Sequence, residues 1–456
     1  MEHLTGTIEA EERLFAEIHP PLNDSEAYLE STRCLECGGP NAPAPCTVAC
    51  PTHINIPKFI REIREGDPLQ AARTIFEANV LGGTCARVCP VEVLCEGACV
   101  LTKEGRRAVR IGRLQRYATD WALERHQSVL PHAPTTCYKE RIAIIGAGPA
   151  GLACAAELAL LGYRVVVYEA RPLPGGLVVY GIAPYKQVID PLPLEVEQLR
   201  QMGVEFHFGV SVGRDIPLKQ LEQEYEAIFL GIGLGRDQSV EVEGEELEGV
   251  YESLEFIERI KLGDWRTVQQ TLGESVVVIG GGNTAIDVAR EAIRLGVKDV
   301  TVIYRRTEKD MPAYAHEYQA ARREGVRFLW QTAPKRCIGT KRVQAVECIY
   351  LKMTQPEAGR RSPLEEVPGT EFILKADAVI KAIGQQKRTD FLSQIEGLEL
   401  ERGLVKVDEW FHTTAAKYFA AGDCVNGGDT VVRAVGEGRR AAHGIHRYFG
   451  RMANGE

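Results

Sequence analysis

The chain has 456 residues with 45 glycines and a formal net charge of −9; this length suggests about three domains, and the glycine share exceeds the usual ~7%. The acidic balance, with no basic tract, excludes nucleic acid as a partner. The opening stretch Met-Glu-His-Leu-Thr-Gly-Thr-Ile-Glu-Ala is acidic and lacks the apolar core of a signal peptide, and no stretch reads as a membrane span, so a cytoplasmic chain with no membrane partner is expected.

Eight of the 13 cysteines fall between Cys34 and Cys99. In a cytoplasmic chain such a cluster reads as metal binding before disulfides. The spacing is Cys34-x2-Cys37-x8-Cys46-x3-Cys50-Pro51, then Cys85-x3-Cys89-Pro90, then Cys95-x3-Cys99. Ile56–Glu65 and Pro68–Ala78 carry helical periodicity between them, which predicts an α-helical domain over residues 1–135. Cys-x2-Cys with a later Cys-x3-Cys-Pro is close to a two-cluster ferredoxin run, in which the last cysteine ligates the other cluster. The Gly38–Pro45 loop is longer than that run allows. Zinc in a pair of all-cysteine tetrahedral sites and unligated thiols are the competing readings.

Cys-Leu-Glu-Cys, Cys-Thr-Val-Ala-Cys-Pro-Thr-His-Ile-Asn-Ile, Leu-Gly-Gly-Thr-Cys-Ala-Arg-Val-Cys-Pro, Leu-Cys-Glu-Gly-Ala-Cys and Ile-Gly-Arg-Leu-Gln-Arg resemble the electron-input half of dihydropyrimidine dehydrogenase. The bacterial two-subunit form of that enzyme carries this half as a separate chain of similar size, and glutamate synthase small subunits are close cousins. The resemblance implies two [4Fe–4S] clusters. Cys34, Cys37, Cys46 and Cys99 would hold one; Cys50, Cys89 and Cys95 would hold the other, with Gln115 as its fourth ligand. Gln115 follows Cys99 by sixteen residues, as the family pattern requires; read alone, it would be an exposed helix residue. Cys85 is left spare. The longer Cys37–Cys46 loop departs from the dehydrogenase pattern and bears on local geometry rather than on ligand identity.

Ser128–Thr136, with two prolines, closes the helical domain. The apolar run from Arg141 then ends at Gly146 and reads as a buried parallel strand. Gly146, Gly148 and Gly151 give G-x-G-x-x-G, and the Ala/Leu-rich helix opening at Pro149 and Ala150 closes at Gly162. A second strand, Arg164–Tyr168, leads to Glu169, Ala170 and Arg171. The glycines serve a tight turn, close approach to pyrophosphate and helix–strand packing. The helix N-terminus offers N–H groups to phosphate, and Glu169 can accept hydrogen bonds from a ribose. Glu157 in mid-helix and the β-branched second strand argue against a membrane span here. Gly176 and Leu177 then mark a place where backbone can approach a flat ligand, the alternative being a plain surface turn.

Strands Glu205–Phe208 and Ala227–Leu230 follow, the second ending at Gly231. Ser275–Ile279 ends in Gly280-Gly281-Gly282-Asn283-Thr284-Ala285, the G-x-G-x-x-A form of the fingerprint. After a helix to Leu295, strand Val300–Tyr304 ends in Arg305 and Arg306 where the first unit has Glu169. A carboxylate repels the 2′-phosphate of NADP, whereas an arginine pairs with it. The first site therefore suits FAD and the second NADP(H), with NAD(H) as the alternative. Residues 377–384, including Ala382 and Gly384, end the nicotinamide insert, and residues 418–423 restart the flavin domain. Gly422-Asp423 resembles the Gly-Asp of flavin disulfide-reductase-like enzymes, where the carboxylate bonds the FAD ribitol. Thr430 and Val431 would begin a helix whose N-terminus faces the flavin.

The predicted fold class is an α-helical iron–sulfur domain followed by two α/β Rossmann-like nucleotide-binding domains of disulfide-reductase type. Its domains are 1–135 for the clusters, 136–270 with 386–456 for FAD, and an inserted 271–385 for NAD(P). The predicted function is a relay. NADPH or NADH reduces FAD without a catalytic side chain, since cofactors carry that chemistry, and electrons leave singly through the clusters to a second, substrate-reducing subunit. That partner is an FMN-containing dihydropyrimidine dehydrogenase subunit, favoured by the Gln115 spacing and by Thr52–Ile56, or a glutamate synthase large subunit. A stand-alone disulfide reductase would need a redox cysteine pair against the flavin, and the nicotinamide part holds only Cys337 and Cys348. A non-enzymatic iron–sulfur sensor or scaffold has no need of two nucleotide fingerprints. Cys154 and Cys424 read as buried packing thiols.

Overall fold

A computed structural model describes residues 15–39, 42–131, 134, 138–354 and 362–451. The opening ten residues lie outside this range, as do parts of the Cys37–Cys46 loop and of the 128–136 linker. The chain forms two compact units. The larger comprises Ile18–Val179, Ile189–Leu234 and Lys387–Glu456, the smaller Met1–Glu17, Tyr180–Val188 and Gly235–Gln386.

The larger unit begins with short helices: α1 Asp24–Ser31, α2 Pro45–Ala49, α3 Ile56–Arg64, α4 Pro68–Ala78, α5 Gly82–Val88 and α6 Ile111–Glu124. Local chemistry starts them. Asn55 and Asp67 cap α3 and α4 through the N–H groups of Lys58 and Gln70, and each helix has a proline in its first turn. Phe59, Ile60, Ile75, Phe76 and Leu114 form the buried face. Beyond α6, Val129 and Leu130 of the linker are buried rather than solvated.

The first sheet contains β1 Arg141–Ile145, β2 Arg164–Glu169, β3 Glu205–Phe208, β4 Ala227–Leu230 and the last strand, β16 Tyr418–Ala420. Its order is β16-β4-β1-β2-β3, with every neighbouring pair parallel. Helices α7 Pro149–Leu160 and α8 Leu192–Gln201 belong to the same unit. The smaller unit holds β5 Val250–Glu252, β6 Ser275–Ile279, helix α9 Asn283–Arg294, β7 Asp299–Tyr304, β8 Arg327–Trp330 and β13 Ala378–Lys381. These strands make a second sheet of order β5-β13-β6-β7-β8, again parallel. Between β8 and β13 the chain adds β9 Thr332–Gly339, β10 Val343–Met353, β11 Leu364–Glu366 and β12 Phe372–Lys375. All three partners of β10 run antiparallel to it. A small ribbon of β14 Leu400–Glu401 and β15 Leu404–Val405, then helix α10 Val431–Tyr448, complete the larger unit.

The fold class is the expected one: helical, then two parallel α/β sheets, the second inserted in the first. The divisions fall elsewhere. Residues 235–270 lie in the smaller unit, not with the flavin sheet, because β5 pairs with β13 from the far end of the insert. Tyr180–Val188 also packs there. Tyr185 is fully buried, with its hydroxyl donating to Asp287 Oδ1 at 2.6 Å, and Lys186 Nζ lies 2.7 Å from Asp287 and 2.8 Å from Glu317. The helical segment, by contrast, joins the flavin sheet in one unit.

Candidate functional site

The structure brings Cys34, Cys37, Cys46 and Cys99 together around one cavity, and Cys50, Cys85 and Cys95 near Cys89. Cys34 follows α1, and its N–H donates to the Ser31 carbonyl at 3.1 Å. Cys46 lies on α2, and Cys99 opens the short helix Val100–Lys103. Cys34, Cys37, Cys46 and Cys99 line a single cavity whose walls include Ile56, Ile60, Leu101 and Ile111. Burial pushes the Cys46 thiol up to about 12, and the neighbouring Cys34 and Cys99 add to the shift. Four thiolates clustered in an apolar wall would repel one another without a cation among them. Among the described residues no three His, Cys, Asp or Glu side chains are disposed to hold a single metal ion. The donor set and the cavity fit a cubane cluster, which needs a wider mouth than one zinc ion.

The second group is Cys50, Cys89 and Cys95. Cys50 ends α2 and Cys89 ends α5. A hydrogen bond with Cys85 pushes the Cys89 thiol well up, as do burial and the nearby Cys85, Cys95 and Cys50. Gln115 is buried at 7% exposure on α6, so the exposed-helix alternative does not hold. Its Nε2 donates to the Gly82 carbonyl at 2.7 Å, which fixes the amide and leaves Oε1 available as a ligand.

Three supports of this region were not legible in the sequence. Glu30, 2% exposed, accepts from the Arg110 N–H at 3.0 Å, from Arg110 Nε at 3.0 Å and from Arg107 Nη2 at 2.9 Å. Burial would raise its carboxyl, yet these donors together with Arg33 hold it at about 2. The brace ties the helix before Cys34 to the segment before Gln115. Glu195 on α8 accepts from the Gly83 N–H at 2.8 Å, the Thr84 N–H at 3.1 Å and Thr84 Oγ1 at 2.6 Å, capping α5 from the flavin domain. Finally, a Cβ on Gly436 of α10 would lie 2.6 Å from the Pro51 carbonyl oxygen. Glycine thus seats α10 directly on the residue after Cys50.

The first fingerprint forms a cradle. Gly146 has φ 102°, and a Cβ there would lie 2.5 Å from the Gly231 carbonyl oxygen; at Gly151 it would lie 2.0 Å from the Gly146 oxygen. Gly148 caps α7 without a side chain, with Pro149 and Ala150 behind it, so the first N–H groups of the helix remain available to phosphate. Gly176, at φ 53° before Leu177, approaches Gly148 closely: its Cβ would lie 3.2 Å from the Gly148 Cα. Glu169 is buried, and its carboxylate accepts from the Ala147 and Arg171 N–H groups, each at 2.8 Å; Ala170 between them is exposed. Arg388, which no sequence motif marks, donates through Nε to the Leu234 carbonyl at 2.9 Å and feels the charge of Glu169. Opposite, Gly422 leads into Asp423, whose carboxyl is raised by burial. Thr430 caps α10 ahead of Val431. A glycine cradle, a bare helix N-terminus and a fixed strand-end carboxylate fit a dinucleotide with a free ribose.

The second fingerprint repeats the cradle in the smaller unit. Gly280 has φ 144°, and a Cβ there would lie 2.2 Å from the Ala382 carbonyl oxygen. Gly282 caps α9 and faces open space, room for a pyrophosphate. Asn283 Oδ1 accepts from the Tyr314 N–H at 2.9 Å, while Thr284 follows in the first turn. Gly384, at φ 110°, turns the chain after β13. Arg305 is exposed and Arg306 half-buried, and neither pairs with a carboxylate among the described residues.

Residues 140–438 match the family described as pyridine nucleotide-disulphide oxidoreductase. The chain belongs to that family. Residues 11–127 of this oxidoreductase match a second description, dihydropyrimidine dehydrogenase domain II, 4Fe–4S cluster. It is 39% identical over 450 residues to the NADPH glutamate synthase small chain of Halomonas elongata, covering 95% of this chain and 93% of that protein, and belongs with that chain in one family. It is also 38% identical to the putative oxidoreductase UacF of Escherichia coli, covering 96% of this chain and 70% of that protein. Among solved structures, Mycobacterium tuberculosis FprA in complex with NADPH shares the fold, with a TM-score of 0.58, 18% identity, and coverage of 69% of this chain and 85% of that one. The chain is an NAD(P)H-dependent flavin and iron–sulfur oxidoreductase, with FAD, NADP(H) and [4Fe–4S] clusters as cofactors. No helix among the described residues is long and apolar enough to cross a membrane. Cys154 and Cys424 are buried, in keeping with a packing role.

Proposed function

We propose that this oxidoreductase is the electron-input subunit of a larger cytoplasmic enzyme, carrying electrons from NADPH through FAD and two [4Fe–4S] clusters to a partner subunit. The observation that carries this reading is the seating of α10 on Pro51 through Gly436. It joins the helix opposite the flavin fingerprint to the backbone beside Cys50. When bound, the nicotinamide and flavin supply two-electron chemistry and the clusters one-electron chemistry; the chain supplies placement. Gly146, Gly148 and Gly151 admit the FAD pyrophosphate and Glu169 its ribose, while Asp423 and the α10 N-terminus serve the flavin end. Gly280, Gly282, Arg305 and Arg306 serve NADPH. Cys50, Cys89, Cys95 and Gln115 would hold one cluster, beside the contact of α10 with Pro51, and Cys34, Cys37, Cys46 and Cys99 would hold the other.

Near-full-length likeness to a glutamate synthase small chain supports a glutamate-synthase-type large subunit as partner. The second reading, an FMN-containing dihydropyrimidine dehydrogenase subunit, is favoured by the buried Gln115. Anaerobically purified protein is expected to contain one FAD and about eight irons, and NADPH should bleach the flavin. Adding a large subunit of each kind then tests the partner, by glutamate formation from glutamine and 2-oxoglutarate or by uracil reduction. Zinc in place of iron, or a flavin that NADPH cannot reduce, would sink the relay.

A further inference from the structure

Cys50, Pro51, Thr52 and His53 form a tight turn. The His53 N–H donates to the Cys50 carbonyl at 2.9 Å, and proline takes the second position, where its fixed φ suits a turn. The turn brings the Thr52 side chain back to the residue that opens it: Thr52 Oγ1 lies 3.3 Å from Cys50 Sγ, and Thr52 is 6% exposed. Among the described residues this is the only hydrogen bond of the Thr52 hydroxyl. A buried hydroxyl without a partner is costly, and here the sulfur is that partner. The other branch of the side chain faces α10. A Cβ on Gly436 would lie 3.8 Å from Thr52 Cγ2 and 2.6 Å from the Pro51 carbonyl oxygen. Threonine has few χ1 wells, and with its methyl group towards α10 the hydroxyl is left on Cys50.

We infer that Thr52 is a tuning residue: its hydroxyl donates a hydrogen bond to the Cys50 sulfur and raises the reduction potential of the cluster that Cys50 helps to hold. The inference rests on the ligand assignment proposed above. A free thiol could itself donate, but a cysteine bound to iron is a thiolate with no proton to give, so in the loaded protein Thr52 is the donor. One-electron reduction adds negative charge to the cluster and its thiolates. A donor to a ligand sulfur therefore stabilises the reduced form more than the oxidised one. The other group has no such device, since no hydroxyl-bearing side chain lines the cavity of Cys34, Cys37, Cys46 and Cys99. Placement gives the difference a use. The tuned cluster is the one beside the seat of α10, the helix whose N-terminus serves the flavin end, and a higher potential there favours electron entry from reduced FAD.

The test compares the full-length, cofactor-loaded protein with Thr52→Val and Thr52→Ser, by iron and flavin content and by potentiometric titration followed by electron paramagnetic resonance. Valine keeps the branched shape and the methyl group towards α10, and removes only the hydroxyl. Thr52→Val should keep about eight irons and move one cluster's reduction equilibrium roughly tenfold toward the oxidised form, about 59 mV for one electron. The other cluster should not move. Thr52→Ser, which retains the donor, should recover most of the shift. A purely structural role would give the reverse pattern, with valine silent and serine, which lacks the methyl group, disturbed. As a second measurement, the reduced wild-type cluster should show a coupling to an exchangeable proton that Thr52→Val lacks. An unchanged potential in Thr52→Val, an equal shift of both clusters, or an unchanged set of exchangeable couplings overturns the inference. Loss of about four irons from Thr52→Val would also overturn it, by making Thr52 a requirement for holding the cluster. Wild-type protein that fails to hold about eight irons would instead refute the parent reading, and this one with it.

Discussion

In the flavin cradle the strand-end carboxylate of Glu169 is held at 2.8 Å by two backbone N–H groups, whereas in the nicotinamide cradle Arg305 and Arg306 end the equivalent strand with no carboxylate partner among the described residues. The helices behind them differ as well. α7 buries a nearly continuous apolar face, Ala150 to Ala159, and approaches α10 so closely that a Cβ on Gly438 would lie 2.2 Å from the Ala150 carbonyl oxygen. α9 buries charge instead: Asp287, Arg290 and Glu291 are each under 9% exposed. One fingerprint thus serves two kinds of neighbourhood. The first packs an apolar helix against α10. The second sets a helix with buried charge behind an exposed Arg305 and a half-buried Arg306.

Closing each cradle in turn separates the roles of the two fingerprints. In Gly151→Val the new Cβ meets the Gly146 carbonyl oxygen at 2.0 Å; backbone cannot give way cheaply, and the protein should lose its flavin outright, read from the visible spectrum. Gly280→Val meets the Ala382 oxygen at 2.2 Å from a φ of 144°. It should keep the flavin and lose reduction by NADPH. If both variants lose flavin, the cradles are not independent. Next in size is Asp287→Ala, which strips a partner from the buried Tyr185 hydroxyl and from Lys186. Lys186 keeps Glu317 at 2.8 Å, so the main loss is the acceptor of the buried Tyr185 hydroxyl, about 1–3 kcal/mol, and thermal unfolding should show it. Arg305→Ala with Arg306→Ala removes charge-assisted hydrogen bonds of about 1.5–3 kcal/mol each. NADPH binding should weaken while NADH binding barely changes, and an equal loss for both would remove the 2′-phosphate argument.

Both cradles were legible because everything they need is local: an apolar strand, glycines at fixed offsets, a helix and a strand-end residue. The larger misreading is equally physical. β5 is three residues long, half-buried, and acquires its place only by pairing with β13. No local pattern distinguishes Val250–Glu252 from a loop, so the sequence points to residue 271 as the start of the smaller unit, where the structure starts it near Gly235. The cysteine groups were legible only through a family pattern, since one interleaves Cys99 with Cys34, Cys37 and Cys46 across the other. The Glu30 brace and the Glu195 cap join residues about 80 and 110 positions apart, beyond any periodicity.

The Glu195 cap gives the smallest expected effect, and one with a definite sign. Burial raises this carboxyl to about 7, although the Thr84 hydroxyl and the Thr84 and Gly83 N–H groups pull it back. In the unfolded chain a glutamate titrates near ~4.3, so the folded state binds the proton more tightly. The stability it confers is full below that value and is lost as pH rises towards about 7, with a slope of at most about 1.4 kcal/mol per pH unit for one group. Glu195→Gln separates charge from capping. Its amide oxygen can accept the two N–H groups that Oε1 now accepts, and its NH2 can donate to the Thr84 hydroxyl oxygen, which lies 2.6 Å from Oε2. The variant should therefore keep the cap and flatten the fall in melting temperature between pH 5 and 7. No matching carboxylate serves the nicotinamide cradle among the described residues, so titrating NADPH binding over the same range should show no such difference between the two proteins. An identical melting slope with and without the carboxylate would mean that Glu195 is already ionised in the folded protein, held so by its three donors.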